Sequence, residues 1–166
     1  MIGTTPTRPA ELLQNVRATV ADALGLAVER VYLTPAPELL GRLPPAAETF
    51  AALVPRTLEL AGPVQHPRIF PAALRFDVCV YSRVAIDRTF SGETLLLDAT
   101  RGLFPLGEKL LSRLAGVILQ DADGQPVLRV PLLAESAGAV RWLEGQNLVL
   151  AYLVQSYLAS FDYALD

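Results

Sequence analysis

The spacing of apolar residues switches between two periods along this chain, and the order of the switches limits the fold more than any single residue does. Leu12, Leu13, Val16, Val20, Ala23 and Leu24 recur every three or four positions, one stripe on a helix. Pro9 suits the first turn of that helix, Thr7 is placed to cap it, and Gly25 is placed to stop it. The period then falls to two. Leu58 and Leu60 alternate with Thr57 and Glu59, and Leu74, Phe76, Val78 and Val80 alternate with Arg75, Asp77, Cys79 and Tyr81. The second run is the clearest strand, with room to continue to Ile86. Helical spacing returns after an opening at Leu95 to Leu97 that Gly102 breaks and Pro105 restarts. Leu106, Leu110, Leu111, Leu114 and Val117 form its stripe, and Gly116 is placed to end it. Strand signals close the chain: Ile118 to Gln120 and Val127 to Leu133 flank a turn at Asp121 to Gly124. After a second turn at Glu144 to Asn147 comes a last long strand from Leu148 to Leu158. This order predicts an α+β fold, with a mainly antiparallel sheet and two principal helices packed on one face. Leu12, Val16, Val20, Leu74, Phe76, Val78, Leu110 and Leu114 are its expected core.

One stretch breaks the pattern. Val28 to Leu33 reads as a short strand, but from Thr34 to Pro55 the chain carries Pro35, Pro37, Pro44, Pro45 and Pro55, which interrupt any long element. Leu39, Leu40, Leu43, Phe50 and Leu53 keep the same stretch apolar. The expectation is one domain over residues 1–166 with an irregular insertion at 34–55, holding one or two helical turns near Ala46 to Leu53. Segments of this kind inside a compact domain are uncommon and often functional.

The residues that carry chemistry are scarce. The 166 residues include one His (His66), one Cys (Cys79) and one Lys (Lys109). His66 has Asp77 and Ser82 near it in sequence but no nucleophile elbow, so it reads as a loop residue. Asp121, Asp123 and Gly124 look like the opening of a calcium loop, yet the Glu that closes such a loop is missing, and a hairpin turn accounts for them. Cys79 excludes an intrachain disulfide and reads as a small buried hydrophobe on its strand. With no Gly-rich phosphate loop and no paired Cys/His ligands, the sequence predicts no catalytic centre, no cofactor and no metal.

Charge and hydropathy limit the partners. A net charge of −3 and a pI of about 5.2 do not suit a sequence-independent grip on nucleic acid. The longest uninterrupted apolar run, Leu148 to Val154, falls far short of the ~20 residues of a spanning helix, so no membrane partner is expected. No basic stretch followed by an apolar run opens the chain, so the protein is expected in the cytoplasm unless it is built into something that leaves it. A 52% hydrophobic fraction and a mean hydropathy of +0.36 are high for a lone domain, which points to apolar surface covered by a partner. The positive charges are 13 Arg and Lys109; Arg suits interfaces, although a GC-rich coding sequence gives the same bias. The candidate contact residues are Arg88 and Phe90, in the loop Asp87 to Gly92, and Leu39, Leu40 and Phe50 in the proline-rich stretch. Tyr152 and Tyr157 fall on opposite parities of the last strand, so at least one is expected to meet solvent or a neighbour.

Three stretches together resemble the tail terminator proteins of long-tailed bacteriophages and their relatives on contractile tails and injection systems. They are the N-terminal helix Glu11 to Arg17, the strand Leu74 to Tyr81 entering a variable loop before the helix Leu106 to Leu114, and the terminal pair around Val127 to Val130 and Asn147 to Val154. The stretch 34–55 departs from the family by its length and its prolines. The resemblance implies a structural virion protein that forms a homo-oligomeric ring, a hexamer, and no enzyme. Such a ring ends the major tail tube protein's polymer, offers its other face to a head-completion or neck protein, and lets DNA pass without sequence-specific binding. It is assembled in the host cytoplasm. Another head–tail neck connector and a cellular ferredoxin-like binding module are the competing readings.

Overall fold

The N-terminal stripe forms α1 (Pro9–Leu24) in a computed structural model, which describes residues 3–42, 49–62, 68–82, 93–144 and 149–165. Its cap is Arg8 rather than Thr7: the Glu11 carboxylate accepts the Arg8 backbone N–H at 3.2 Å. Thr7 lies in extended chain beside Tyr163, which takes it out of capping position. Gly25 ends the helix at φ 64°, a left-handed conformation that costs glycine little. A 3₁₀ turn at Val28–Arg30 takes up half of the expected first strand and leaves β1 (Val31–Leu33).

Residues 43–48 of the proline-rich stretch lie outside the described residues, and its described parts are more regular than expected. A helical turn, α2 (Glu38–Arg42), precedes the expected position, and Thr49 to Leu53, expected as part of a helical turn, belong to β2 (Thr49–Leu60). Phe50 to Val54 are all buried because both faces of this part of β2 are covered, so the run reads as continuously apolar rather than alternating. Pro55 is tolerated because the register slips between Pro55 and Thr57, and a bulge is where a strand accepts a residue without an N–H. β3 (Ile69–Ser82), α3 (Glu93–Leu97) and α4 (Leu103–Leu114) follow. Only β4 (Leu133–Ala134) and isolated bridges, Gln120 to Pro126 and Leu128 to Phe161, form where two strands were expected. Pro126 and Pro131 supply no N–H to a ladder there. β5 (Ala139–Glu144) and a long β6 (Val149–Ala164) complete the chain.

The strands form one six-stranded sheet in the order β1-β2-β3-β6-β4, with β5 on the same side of β6 as β4. β1 runs parallel to β2, and every other pair is antiparallel. α1 and α4 lie on one face. Leu12, Val16 and Val20 meet Leu106, Leu110 and Leu114 above Leu53, Leu74, Phe76, Val78, Tyr157 and Phe161 in one core. The eight expected core residues are all 3% exposed or less. The mainly antiparallel α+β architecture with both principal helices on one face is therefore the fold.

The other face is half covered. Phe50, Ala52, Val54, Cys79, Tyr81 and Tyr152 form a second apolar cluster, closed by Tyr32 of β1 and Leu40 of α2. That cover buries Tyr152, and the helix-bearing face buries Tyr157, so within one chain neither tyrosine is exposed to solvent.

Candidate assembly surface

The second face is built on a row of cross-strand partners. Phe50 of β2 stacks on Tyr81 of β3 at 4.6 Å between ring centroids, and Tyr81 stacks on Tyr152 of β6 at 4.9 Å. Arg141 of β5 is the next residue in register. Stacked rings at these distances contribute about 0.5–1.5 kcal/mol per pair beyond their burial. The Tyr81 hydroxyl donates to the Pro37 carbonyl at 3.0 Å, which ties the start of α2 to the row. Burial pushes the Tyr81 phenol upward, with Cys79 adding to it. Burial and then the nearby Asp77 carboxylate push the Cys79 thiol up to about 12, so this cysteine is neutral and unreactive at ordinary pH.

Next to the row the face turns polar and opens to solvent. A groove of about 510 Å³ is lined by Glu38, Arg56, Asp77, Arg141, Tyr152 and Ser156, among others. Asp77 organises its floor. Its Oδ2 accepts the Arg56 Nε–H at 2.7 Å and faces the Arg56 terminal nitrogen at 2.6 Å, while its Oδ1 accepts the Ser156 hydroxyl at 2.7 Å. Asp77 is only 8% exposed, so its charge needs this pairing. Further along, Arg75 lies between Glu59 at 3.6 Å and Glu135 at 3.3 Å, and Arg129 faces Asp162 at 3.7 Å. Arg141 is exposed beside Tyr152 and has no ion pair among the described residues.

The sheet's two outer edges differ. β1 covers β2 only at Ala51 to Leu53, so after the bulge β2 has no neighbour on its outer side among the described residues. There Leu58 is 44% and Leu60 63% exposed, although their in-register partners Leu74 and Ala72 are core residues. At the other edge β5 pairs only with β6 among the described residues, and Leu133 of β4 is 54% exposed.

The residues that sequence reasoning singled out are scattered over this surface. Leu39 is 46% exposed on α2, whereas Leu40 turns inward against the aromatic row. Phe50 is fully buried inside β2, which removes it from the surface available to a partner. Arg88 and Phe90, like His66 and Gly145 to Asn147, lie outside the described residues. The Asp121 turn is an Asx turn: Asp121 Oδ1 accepts the backbone N–H groups of Asp123 and Gln125 at 2.9 and 2.8 Å, and Gly124 sits at φ 76°. The bond from Gln125, chiefly, holds the Asp121 carboxyl below its ordinary range. Among the described residues, no three or more His, Cys, Asp or Glu cluster so as to hold a metal ion, and no helix is long and apolar enough to cross a membrane. The sequence marks Glu59 and Leu60 only as part of an alternating strand, and Val140 and Arg141 not at all, since it predicts no strand where β5 lies. The alternation does not say that a strand lies at an edge.

No protein-family model matches the chain, and no curated protein does. Among solved structures, a chain from "Virion of native gene transfer agent (GTA) particle" is similar, at 17% identity and a TM-score of 0.48, over 90% of this chain and 90% of that one.

Proposed function

We propose that this protein is a structural component of a phage-type virion, which closes into a homo-oligomeric ring, a hexamer, and ends a tail tube. One observation carries the reading: apolar side chains are exposed at opposite edges of one sheet. Leu33, Leu58 and Leu60 stand on the β1–β2 side, and Leu133 stands on the β4 side, all between 44% and 63% exposed. A ring of identical subunits needs two different patches, one meeting the other on the next copy. Scattered exposed leucines are ordinary, whereas three along one sheet edge, with Leu133 at the opposite edge, give the two different patches that such an interface uses.

The chain's buried polar groups support the same reading, because they are occupied in holding elements together. Gln155 ties β6 to α4, Asp77 ties β3 to β2 and β6, and Ser82 ties β3 to the turn before α4 through the Arg101 carbonyl at 2.8 Å. The major tail tube protein on one side and a head-completion or neck protein on the other are the partners of such a ring, with DNA passing through it. Its place is the virion neck, after assembly in the host cytoplasm. Particles made without the protein test this. Tails of irregular length that do not join heads are expected. Tails of normal length would exclude a terminator, and a failure of head joining alone would move the protein to a neighbouring neck connector.

A further inference from the structure

The backbone of the free half of β2 has a defined hydrogen-bonding phase. The Ala61 N–H donates to the Pro71 carbonyl at 2.8 Å, so residue 61 points its polar groups at β3. In an antiparallel ladder that orientation alternates, so Thr57 and Glu59 also face β3. The N–H and C=O groups of Leu58 and Leu60 then point outward, where no strand lies among the described residues. The phase of β5 follows in the same way. Ser156 of β6 accepts the Glu135 N–H at 2.8 Å and donates its own N–H to Ser136 Oγ at 3.0 Å, both toward the β4–β5 side. Val154 and Tyr152 share that orientation, so their partners Ala139 and Arg141 face β6. The backbone groups of Val140 and residue 142 therefore point outward from the other edge.

These two edges fit each other. β2 and β6 run in the same direction and β5 runs opposite, so β5 of one copy meets β2 of the next copy antiparallel when the subunits repeat head to tail. With Leu60 opposite Val140, and Leu58 opposite residue 142, outward donors and acceptors meet in hydrogen-bonded pairs. The faces also agree. Leu60 and Val140 both belong to the helix-bearing face, since their in-register partners are Ala72 and Leu153 of that face's clusters. Between them Glu59 falls opposite Arg141 on the other face, at a non-hydrogen-bonded position where side chains approach closest. Arg141 has no ion pair in its own chain among the described residues. The Glu59 side chain is 60% exposed and held by Arg75 only at 3.6 Å, so it has room for a second cation. Pairing β2 with its own copy in the equivalent register would instead set Glu59 against Glu59, a repulsive match.

We propose that the free half of β2, Thr57 to Leu60, pairs antiparallel with β5 of an adjacent copy, with Glu59 facing Arg141, so that one sheet continues from subunit to subunit. The proposal rests on the ring reading and names its interface. Cysteine pairing tests it. Non-hydrogen-bonded antiparallel partners lie about 4.5 Å apart at Cα, within disulfide reach, and the native Cys79 is buried and does not compete. Glu59→Cys/Arg141→Cys, purified and oxidised, should run as a ladder of covalent oligomers ending in a closed ring. Equal parts of Glu59→Cys and Arg141→Cys should give dimers only, and each alone should stay uncrosslinked. In parallel, Glu59→Arg should weaken assembly about tenfold by native mass spectrometry, and Glu59→Arg/Arg141→Glu should restore it. A wild type that assembles while the double-cysteine protein stays uncrosslinked, or an efficient Glu59→Cys homodimer, would overturn this interface and leave the ring standing. A wild type that stays monomeric at every concentration, with normal tails in its absence, would remove the ring reading and the interface with it.

Discussion

Gln155 is the side chain whose removal gives the sharpest test of how the two layers are joined. It is 0% exposed, its amide nitrogen donates to the carbonyls of Gly107 and Ala137, each at 2.9 Å, and its Oε1 accepts the Tyr157 hydroxyl at 2.7 Å. Gln155→Leu keeps the volume and deletes all three bonds. The losses are unequal. Ala137 is exposed, so water can replace its bond at a cost of about 0–1 kcal/mol. The Gly107 carbonyl keeps its place in the α4 ladder, so losing its second donor costs about 0.5–1 kcal/mol. The Tyr157 hydroxyl is enclosed and loses its acceptor, which costs about 1–3 kcal/mol. The total is about 1.5–5 kcal/mol, read as a lower urea midpoint by far-UV circular dichroism at one fixed protein concentration. Tyr157→Phe alone should cost about 1–2 kcal/mol, because Gln155 Oε1 is then unpaired. Gln155→Leu/Tyr157→Phe should cost at least about 1 kcal/mol less than the sum of its parts. A Gln155→Leu protein within about 0.5 kcal/mol of wild type, or an additive double variant, would refute the view that this amide is the joint between β6 and α4.

Phe76→Ala should cost about 3–5 kcal/mol by the same assay, since Phe76 is fully buried and stacked on Tyr157 at 5.7 Å; a stable variant would put the phase of β3 in error. Gly102→Ala should lower the melting temperature at a cost of about 1–3 kcal/mol, because a Cβ there would lie 2.6 Å from the Asp98 backbone nitrogen and oxygen, which cannot step aside. Stability should also fall in alkali. Cys79 ionises from its ordinary value of 9.0 when unfolded but only at about 12 when folded, so its contribution is whole below pH 9 and lost between 9 and 12. Cys79→Ala should flatten the urea midpoint's decline between pH 9 and 10, below the range where Tyr81 and Tyr157, both raised by burial, add a loss of the same sign.

The helix-bearing face was legible because each of its elements states its own phase. Val16 and Val20 are one turn apart, Leu110 and Leu114 likewise, and Leu74, Phe76 and Val78 alternate with polar or small residues, so each stripe could be oriented without knowing its partner. The second face was not legible. Phe50 to Val54 have no period, because α2 and β1 bury the face that a half-exposed strand would leave polar, and five apolar residues in a row fit a helical turn as well as a strand. Five prolines around them argued for irregularity, yet Pro55 falls at a bulge where its missing N–H costs nothing.

The assembly surface was hidden for a different reason. Leu58 and Leu60 carry the same alternation as Leu74 and Phe76, and alternation reports only which face of a strand is apolar. Whether that face is buried depends on what lies beside and above the strand, and β1 stops after three residues, level with Leu53. The sequence therefore marks these leucines as core, and topology alone turns them outward. An edge with outward backbone groups and two exposed leucines is a hazard for a free monomer, since any passing strand can add to it. Pro55 and the bulge blunt only its start. A chain that keeps such an edge gains from it when a strand of its own kind is the one that pairs there, and Arg141, which has no ion pair among the described residues, gives that strand its register across from Glu59.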